Sequence, residues 1–199
     1  LGTDLLLIGK EELRDLCNSI RKPLELSFGP ACEGEKIVYG ASMPGFGARS
    51  IPVSIIKKWI DFMKKATIVR VCSLIAQSEL SYYEVDLLET YRKAFGRTKV
   101  LHAPIEDHHL CDIKTLKRIM LFLHEADRDN EPTVVHCAGG RGRTGLIHAA
   151  YLVYGRGFSI EEALEAVKRM GRNPYEAVVS GKAREEELYE LLRFCKEGR

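Results

Sequence analysis

A glycine-rich turn carrying a cysteine and an arginine, set between a strand-like run and a helix-like one, constrains this chain more than any other feature. It reads Val134-Val135-His136-Cys137-Ala138-Gly139-Gly140-Arg141-Gly142-Arg143-Thr144-Gly145. The apolar run Thr133 to His136 predicts a strand, and an amphipathic helix is expected from Arg143 to about Tyr154, ended by Gly155 and Gly157. A strand that ends in such a loop and feeds a helix points successive backbone N–H groups into one concavity, which also receives the positive end of the helix dipole. That cradle suits a phosphate dianion. It also stabilises a thiolate, so Cys137 is expected as an ionised nucleophile at neutral pH. Arg143 brings a planar fork able to hold two phosphoryl oxygens at once. Gly139, Gly140 and Gly142 let backbone approach a ligand closely. The lysine of a Walker loop and the GxGxxG spacing are both missing, so a nucleotide-binding loop fits poorly.

The rest of the chain alternates between the two periodicities. Ile37 to Gly40, Ile68 to Leu74, Thr98 to Ala103 and Thr133 to His136 are predicted as short buried strands, apolar and bounded by charged or turn residues. Helical spacing joins Val53, Ile56, Ile60 and Met63 over Val53 to Lys65, and Leu116, Ile119, Met120 and Leu123 over about Ile113 to Ala126. Ser81-x-x-Glu84 predicts a capping box opening a helix to about Phe95, Ser159-x-x-Glu162 another opening a helix to Met170, and Ala183 to Lys196 a last helix. The expected fold is α/β, a central mostly parallel sheet of about four or five strands flanked by helices. The cysteine loop then falls at the carboxyl end of a strand, where open α/β sheets place ligands.

Composition agrees with one enzyme domain. A chain of 199 residues that is 45% hydrophobic can bury a single α/β core and is short for two. Residues 1–36 are expected as a helical or irregular extension and 37–199 as the catalytic core. A formal net charge of +2, with 29% charged residues, gives no reason to expect nucleic acid or a membrane surface as partner. The six cysteines form no CxxC pair, which favours a reduced, cytoplasmic setting. Cys17, Cys32, Cys111 and Cys195 are read as packing residues. Leu5 to Ile8 is too short for a signal-peptide core and is led by Asp4, and no run approaches a membrane span. The chain does not open with methionine, so the native N-terminus is expected elsewhere.

The run His136-Cys137, five residues, Arg143-Thr144 resembles the signature of the cysteine-dependent protein tyrosine phosphatase superfamily, and the Ala138-Gly139-Gly140 interior is most similar to its small dual-specificity branch. The resemblance implies that Cys137 attacks phosphorus, that Arg143 and the loop from Ala138 through Arg141 and Gly142 hold the phosphoryl oxygens, and that Thr144 donates to the departing sulfur. His136 orients the loop from behind it. Pro104-Ile105-Glu106-Asp107 is similar to the superfamily's mobile acid loop and makes Asp107 the general acid, with Glu106 and Asp112 as competitors. Asp112, just before Ile113, reads more simply as the cap of the following helix. His108-His109 departs from the small or glycine residues common there. The tyrosine-specific branch uses a glutamine to place the hydrolytic water. Here Gln77 lies far upstream, and Asn173, in Arg172-Asn173-Pro174-Tyr175, is the candidate. No metal or other cofactor is implied.

The expected substrate is therefore a phosphorylated protein side chain, phosphotyrosine first and phosphoserine or phosphothreonine next, acted on by a monomer. The alternative is a phosphoinositide or inositol phosphate. Lipid phosphatases related to tensin carry lysines at the first and fourth positions after the cysteine, where this chain has Ala138 and Arg141. RNA 5′-triphosphatases usually have Thr-His after the cysteine, absent here, and rank third. An inactive phosphate-binding module would be expected to lose the cysteine, the arginine or the acid, and all three are present. Metal ligation by His108, His109, Cys111 and Asp112 is the remaining chemistry weighed, without a second cluster at zinc spacing to support it. Arg169, Arg172, Lys182 and Arg184 read as a solvated basic face.

Overall fold

The computed structural model describes residues 25–198, so the Leu5 to Ile8 run and Cys17 lie outside the described residues. Its sheet has five strands, β1 (Gly29–Pro30), β2 (Val38–Ser42), β3 (Arg70–Ser73), β4 (Val100–His102) and β5 (Thr133–Cys137), in the order β1-β2-β5-β3-β4. The four longer strands run parallel and β1 pairs antiparallel with β2. Each strand expected from the sequence is present. The sheet also begins at Gly29, ahead of the core boundary expected at residue 37, because a two-residue strand containing proline carries no periodic signal.

The strand that ends in Cys137 is central. β5 lies between β2 and β3, with Ser42 opposite Cys137 and both Ala41 and Ser73 opposite His136. All five of its residues are buried, as expected for a parallel strand covered on both faces. Alternation sends Val135 and Cys137 into one core cluster and Val134 into the other, where His136 packs edge-on against Trp59 and Tyr91. Helices α1 (Val53–Lys65) and α2 (Leu87–Phe95) cover that second face. The opposite face carries α3 (Ile113–Arg128), α4 (Gly142–Arg156), α5 (Ile160–Arg169) and α7 (Glu185–Glu197). The short α6 (Glu176–Val179) follows α5.

Two helical expectations change. The helix after the cysteine loop is not amphipathic: every residue from Gly142 to Val153 is buried, since α3, α5 and α7 pack around it. It ends at Arg156 with Gly157 left-handed at φ 80°, leaving Gly155 inside. Ser81-x-x-Glu84 opens no helix. Ser81 lies in a 3-10 segment, Gln77–Tyr82, where its hydroxyl donates to the Ser78 carbonyl, and α2 starts later, capped by Asp86, which accepts from Glu89 N at 2.8 Å. Asp86 wins because its side chain meets the first free amides of the helix that forms. The other box holds: Ser159 Oγ accepts from Glu162 N at 3.2 Å, and the Glu162 carboxylate accepts from Ser159 N at 2.8 Å.

Partly buried ion pairs tie distant segments together. Arg156 bridges Glu35 at 2.8 Å and Asp127 at 2.6 Å, fastening the end of α4 to the turn before β2 and to the end of α3. Arg70, on β3, meets Glu125, Asp129 and Glu131 near the end of α3 and the start of β5. Among the described residues no helix is long and apolar enough to cross a membrane.

Candidate active site

Cys137 closes β5, its side chain buried at the first turn of α4. Thr144, one residue past Arg143 on α4, donates from Oγ1 to Cys137 Sγ at 3.2 Å. The intervening loop is fixed by its neighbours. The Ala138 carbonyl accepts from Met43 N at 2.9 Å, and Gly140 adopts φ +70°, where a Cβ would fall 2.5 Å from the Ala41 carbonyl. Only glycine meets both conditions. Arg141 is exposed, the one long side chain projecting from the loop.

Arg143 is almost completely buried, and its fork is aimed by protein atoms on both sides. Nη1 donates to Glu79 Oε2 at 2.6 Å and to the Ile105 carbonyl at 2.9 Å, while Nη2 donates to Glu79 Oε1 at 3.0 Å and pairs with Asp107 Oδ1 at 2.8 Å. Nε is buried with no hydrogen-bond partner among the described residues. A bidentate carboxylate thus fixes the plane of the guanidinium while one N–H is left for a ligand. Asp107 stands at the mouth, about half exposed, in reach of Arg143. His108, next to it, is left-handed at φ 60°, the conformation that glycine adopts most readily, and its ring lies 3.5 Å from Asp107 and 3.9 Å from Glu176.

Behind the loop the polar groups are equally specific. His136 is buried, with Nδ1 3.4 Å from its neighbour's carbonyl oxygen, Cys137 O, and burial pulls the imidazole down to about 4, so it is neutral at physiological pH. Arg172, read from sequence as part of a solvated face, is instead buried. It donates to the Gly140 carbonyl, to Gly29 O at 3.1 Å and to Ser27 O at 3.4 Å, holding the loop against the β1 edge. Burial lowers its guanidinium to about 10, opposed by the nearby Cys137. Arg169, Lys182 and Arg184 are exposed as expected.

The remaining sequence candidates separate cleanly. Asp112 is an N-cap, its Oδ1 accepting from Thr115 N at 2.6 Å, and the Thr115 hydrogen bonds hold its carboxyl below the usual range. Asn173 Oδ1 accepts from Tyr175 N at 3.2 Å, and Gln77 is exposed on the 3-10 segment. Besides Arg172, a side chain of that region that meets the loop is Glu176, whose carboxylate lies where a Cβ on Gly142 would be. The ligand set His108, His109, Cys111 and Asp112 does not assemble, because Cys111 is buried and Asp112 caps α3; the ligand-type atoms that converge belong to Asp107, His108 and Glu176. Cys32, Cys72, Cys111 and Cys195 are free and buried, and burial pushes the thiols of Cys72, Cys111 and Cys195 up to about 12.

Sequence reasoning missed Glu79. Its only local signal is a single acid in the turn a few residues past β3, and the capping of Ala76, whose N–H it accepts at 2.6 Å, looks like ordinary turn chemistry. Burial pushes the Glu79 carboxyl up, but the Arg143 hydrogen bonds, the Ala76 N–H and the arginine charge outweigh it and hold the carboxyl below its usual value. Glu79→Gln should therefore cost about 3–5 kcal/mol at neutral pH, the usual loss when one partner of a buried ion pair is removed. A depressed carboxylate stabilises above its unfolded pKa of about 4.3 and loses that contribution as pH falls through the lower folded value. The gap between wild type and Glu79→Gln in urea unfolding should thus narrow below about pH 4. A gap that is constant from pH 7 to pH 3 would remove the ion-pair account.

A profile of the dual specificity phosphatase catalytic domain matches residues 60–180. The phosphatidylinositol 3,4,5-trisphosphate 3-phosphatase and protein-tyrosine-phosphatase PTEN1 of Arabidopsis thaliana is 36% identical over 123 residues, which cover 58% of this chain and 29% of that protein. Cyclin-dependent kinase inhibitor 3 of Rattus norvegicus is 32% identical over 129 residues, 64% of this chain and 59% of its own length. The chain thus spans less than two thirds of these curated relatives. Among solved structures, the active form of Tk-PTP superposes with a TM-score of 0.62 at 26% identity, covering 86% of this chain and 97% of that one. The match over residues 60–180, from α1 through the cysteine loop to the end of α6, makes this protein a member of the dual specificity phosphatase family, within the cysteine-dependent tyrosine phosphatase superfamily.

Proposed function

We propose that this chain is a single phosphatase domain that hydrolyses phosphate monoesters on protein side chains through a cysteinyl-phosphate intermediate. The observation that carries the reading is the convergence on one loop of a buried cysteine held by Thr144, an arginine held by Glu79, and Asp107 at the mouth. In the first step Cys137 Sγ attacks phosphorus in line, the P–O bond to the leaving group breaks, and Asp107 gives that oxygen its proton. Arg143 and the loop amides from Ala138 to Arg143 bear the charge on the equatorial oxygens. In the second step water attacks phosphorus, its proton passes to Asp107, the S–P bond breaks, and Thr144 Oγ1 stabilises the returning thiolate by the hydrogen bond it already makes.

A phosphoinositide headgroup is the second reading, favoured by the exposed Arg141 and by the name of the Arabidopsis relative. A turnover panel of phosphotyrosine, phosphothreonine and soluble phosphoinositide substrates, run in EDTA with rapid-quench trapping of phosphoenzyme, tests both. The expected result is the highest kcat/KM on a phosphotyrosine peptide, with label on Cys137. A phosphoinositide kcat/KM well above that on every phosphopeptide promotes the second reading, and a lack of turnover throughout leaves a binding module.

A further inference from the structure

We infer that His108 and Glu176 form a latch that holds the acid loop against the cysteine loop, so that both are positioning residues for Asp107. The inference rests on the phosphatase reading above, in which Asp107 is the general acid. The half-exposed His108 ring has a carboxylate beside each nitrogen: Nε2 lies 3.5 Å from Asp107 Oδ2, and Nδ1 lies 3.9 Å from Glu176 Oε2. Asp107 Oδ1 faces Arg143 Nη2 at 2.8 Å, so the acid stands between the arginine of the cysteine loop and a ring that reaches α6. His108 adopts φ 60° to put its ring there. A residue with a side chain pays for that conformation, which persists only where surrounding contacts over-determine it.

The far side of the latch is anchored on the cysteine loop itself. Glu176 opens α6, and its carboxylate packs on Gly142 so closely that a Cβ there would lie 1.6 Å from Oε2. Only glycine admits it. The chain leading to Glu176 is tied to the same loop, with Asn173 N donating to Arg141 O at 3.3 Å and Glu176 N donating to Asn173 O at 3.1 Å. Ser180, just past α6, adds a second tether, its Oγ donating to the His108 carbonyl at 3.4 Å. Within the acid loop, His109 N donates to Glu106 O at 3.1 Å and His109 Nδ1 lies 2.8 Å from Asp107 O, which closes residues 106–109 into one turn. Those bonds hold the turn's shape but not its place. Place comes from the His108 ring, from Glu176 and from Ser180, which connect the turn to the segment seated on the start of α4, and so set where Asp107 meets a leaving oxygen.

Orientation of the acid counts in the step where the acid works, so loss of the latch should carry the signature of Asp107 and not that of substrate binding. His108→Gly keeps the left-handed backbone and removes the ring, while Glu176→Gln keeps the side chain's shape over Gly142 and removes its charge. Each should lower kcat about tenfold on a phosphotyrosine peptide and about twofold at most on an activated aryl phosphate, with KM for both within about twofold. The double variant should be no slower than the slower single one. Placed on Asp107→Asn, His108→Gly should cost less than about twofold more, because the latch acts only through that carboxyl. An equal loss on both substrates, a loss confined to KM, a full additional loss on Asp107→Asn, or no change in either variant overturns the latch. Wild-type protein that turns over neither substrate, or Asp107→Asn without leaving-group dependence, instead overturns the reading beneath it, so the two failures are distinguishable.

Discussion

Replacing Cys137 with serine should lower turnover of any aryl phosphate by about 10⁴-fold or more while leaving phosphopeptide affinity within a few-fold of wild type. The hydroxyl fits the same buried space and keeps the Thr144 Oγ1 contact, seen at 3.2 Å, but it does not ionise at neutral pH and cannot form the cysteinyl phosphate. Arg143→Lys should fail by about 10²–10³-fold, because a point charge cannot reproduce a planar fork. The geometry explains why: Arg143 reaches both oxygens of Glu79, the Ile105 carbonyl and Asp107 at once, and keeps Nε free of protein partners among the described residues. A lysine at 143 would leave Glu79 buried and half-paired, so a loss of thermal stability should accompany the loss of rate. Steady-state kinetics, calorimetric binding and thermal melts on both variants read these effects separately. More than a trace of activity in Cys137→Ser on an activated aryl phosphate would sink the covalent mechanism.

The second large effect separates two aspartates by leaving group. A general acid matters in proportion to how poorly the leaving oxygen departs alone, so Asp107→Asn should cost about 10²–10⁴-fold on a phosphotyrosine peptide and far less on an activated aryl phosphate. The first step needs a proton delivered to the leaving oxygen, and asparagine has none to give. Asp112→Ala should behave as a cap lesion. Its carboxylate meets Thr115 N at the start of α3 and makes no contact with Arg143, so a lower melting temperature with similar small rate changes on both substrates is expected. Leaving-group dependence appearing in Asp112→Ala and not in Asp107→Asn would exchange the roles.

How much of this could be read in the chain depended on sequence separation. The cysteine loop was legible because Cys137, the glycines, Arg143 and Thr144 are contiguous, and strand, turn and helix chemistry dictate their arrangement locally. The four longer strands and the helices bounded by Val53–Lys65 and Ile160–Arg169 were legible for the same reason, since periodicity and caps are short-range signals. The Asp112 cap belonged to this class as well.

The groups that give the loop its direction are far from it along the chain. Glu79 reaches Arg143 across 64 positions, and Arg172 reaches Gly140 across 32 and Gly29 across 143, so no local pattern marks either. Burial of α4 on every face likewise depends on which helices pack around it, and hydrophobic periodicity in one segment does not contain that information. Glu176 comes to rest between Gly142 and His108 because the packing of α5 on α4 returns the chain to the cysteine loop. The sequence by itself determined the cysteine-arginine loop and the α/β frame, because these follow from bonded neighbours. Only the tertiary structure decided which carboxylate aims the arginine, which cation braces the loop and which ring borders its mouth, because those are choices among groups brought together by folding.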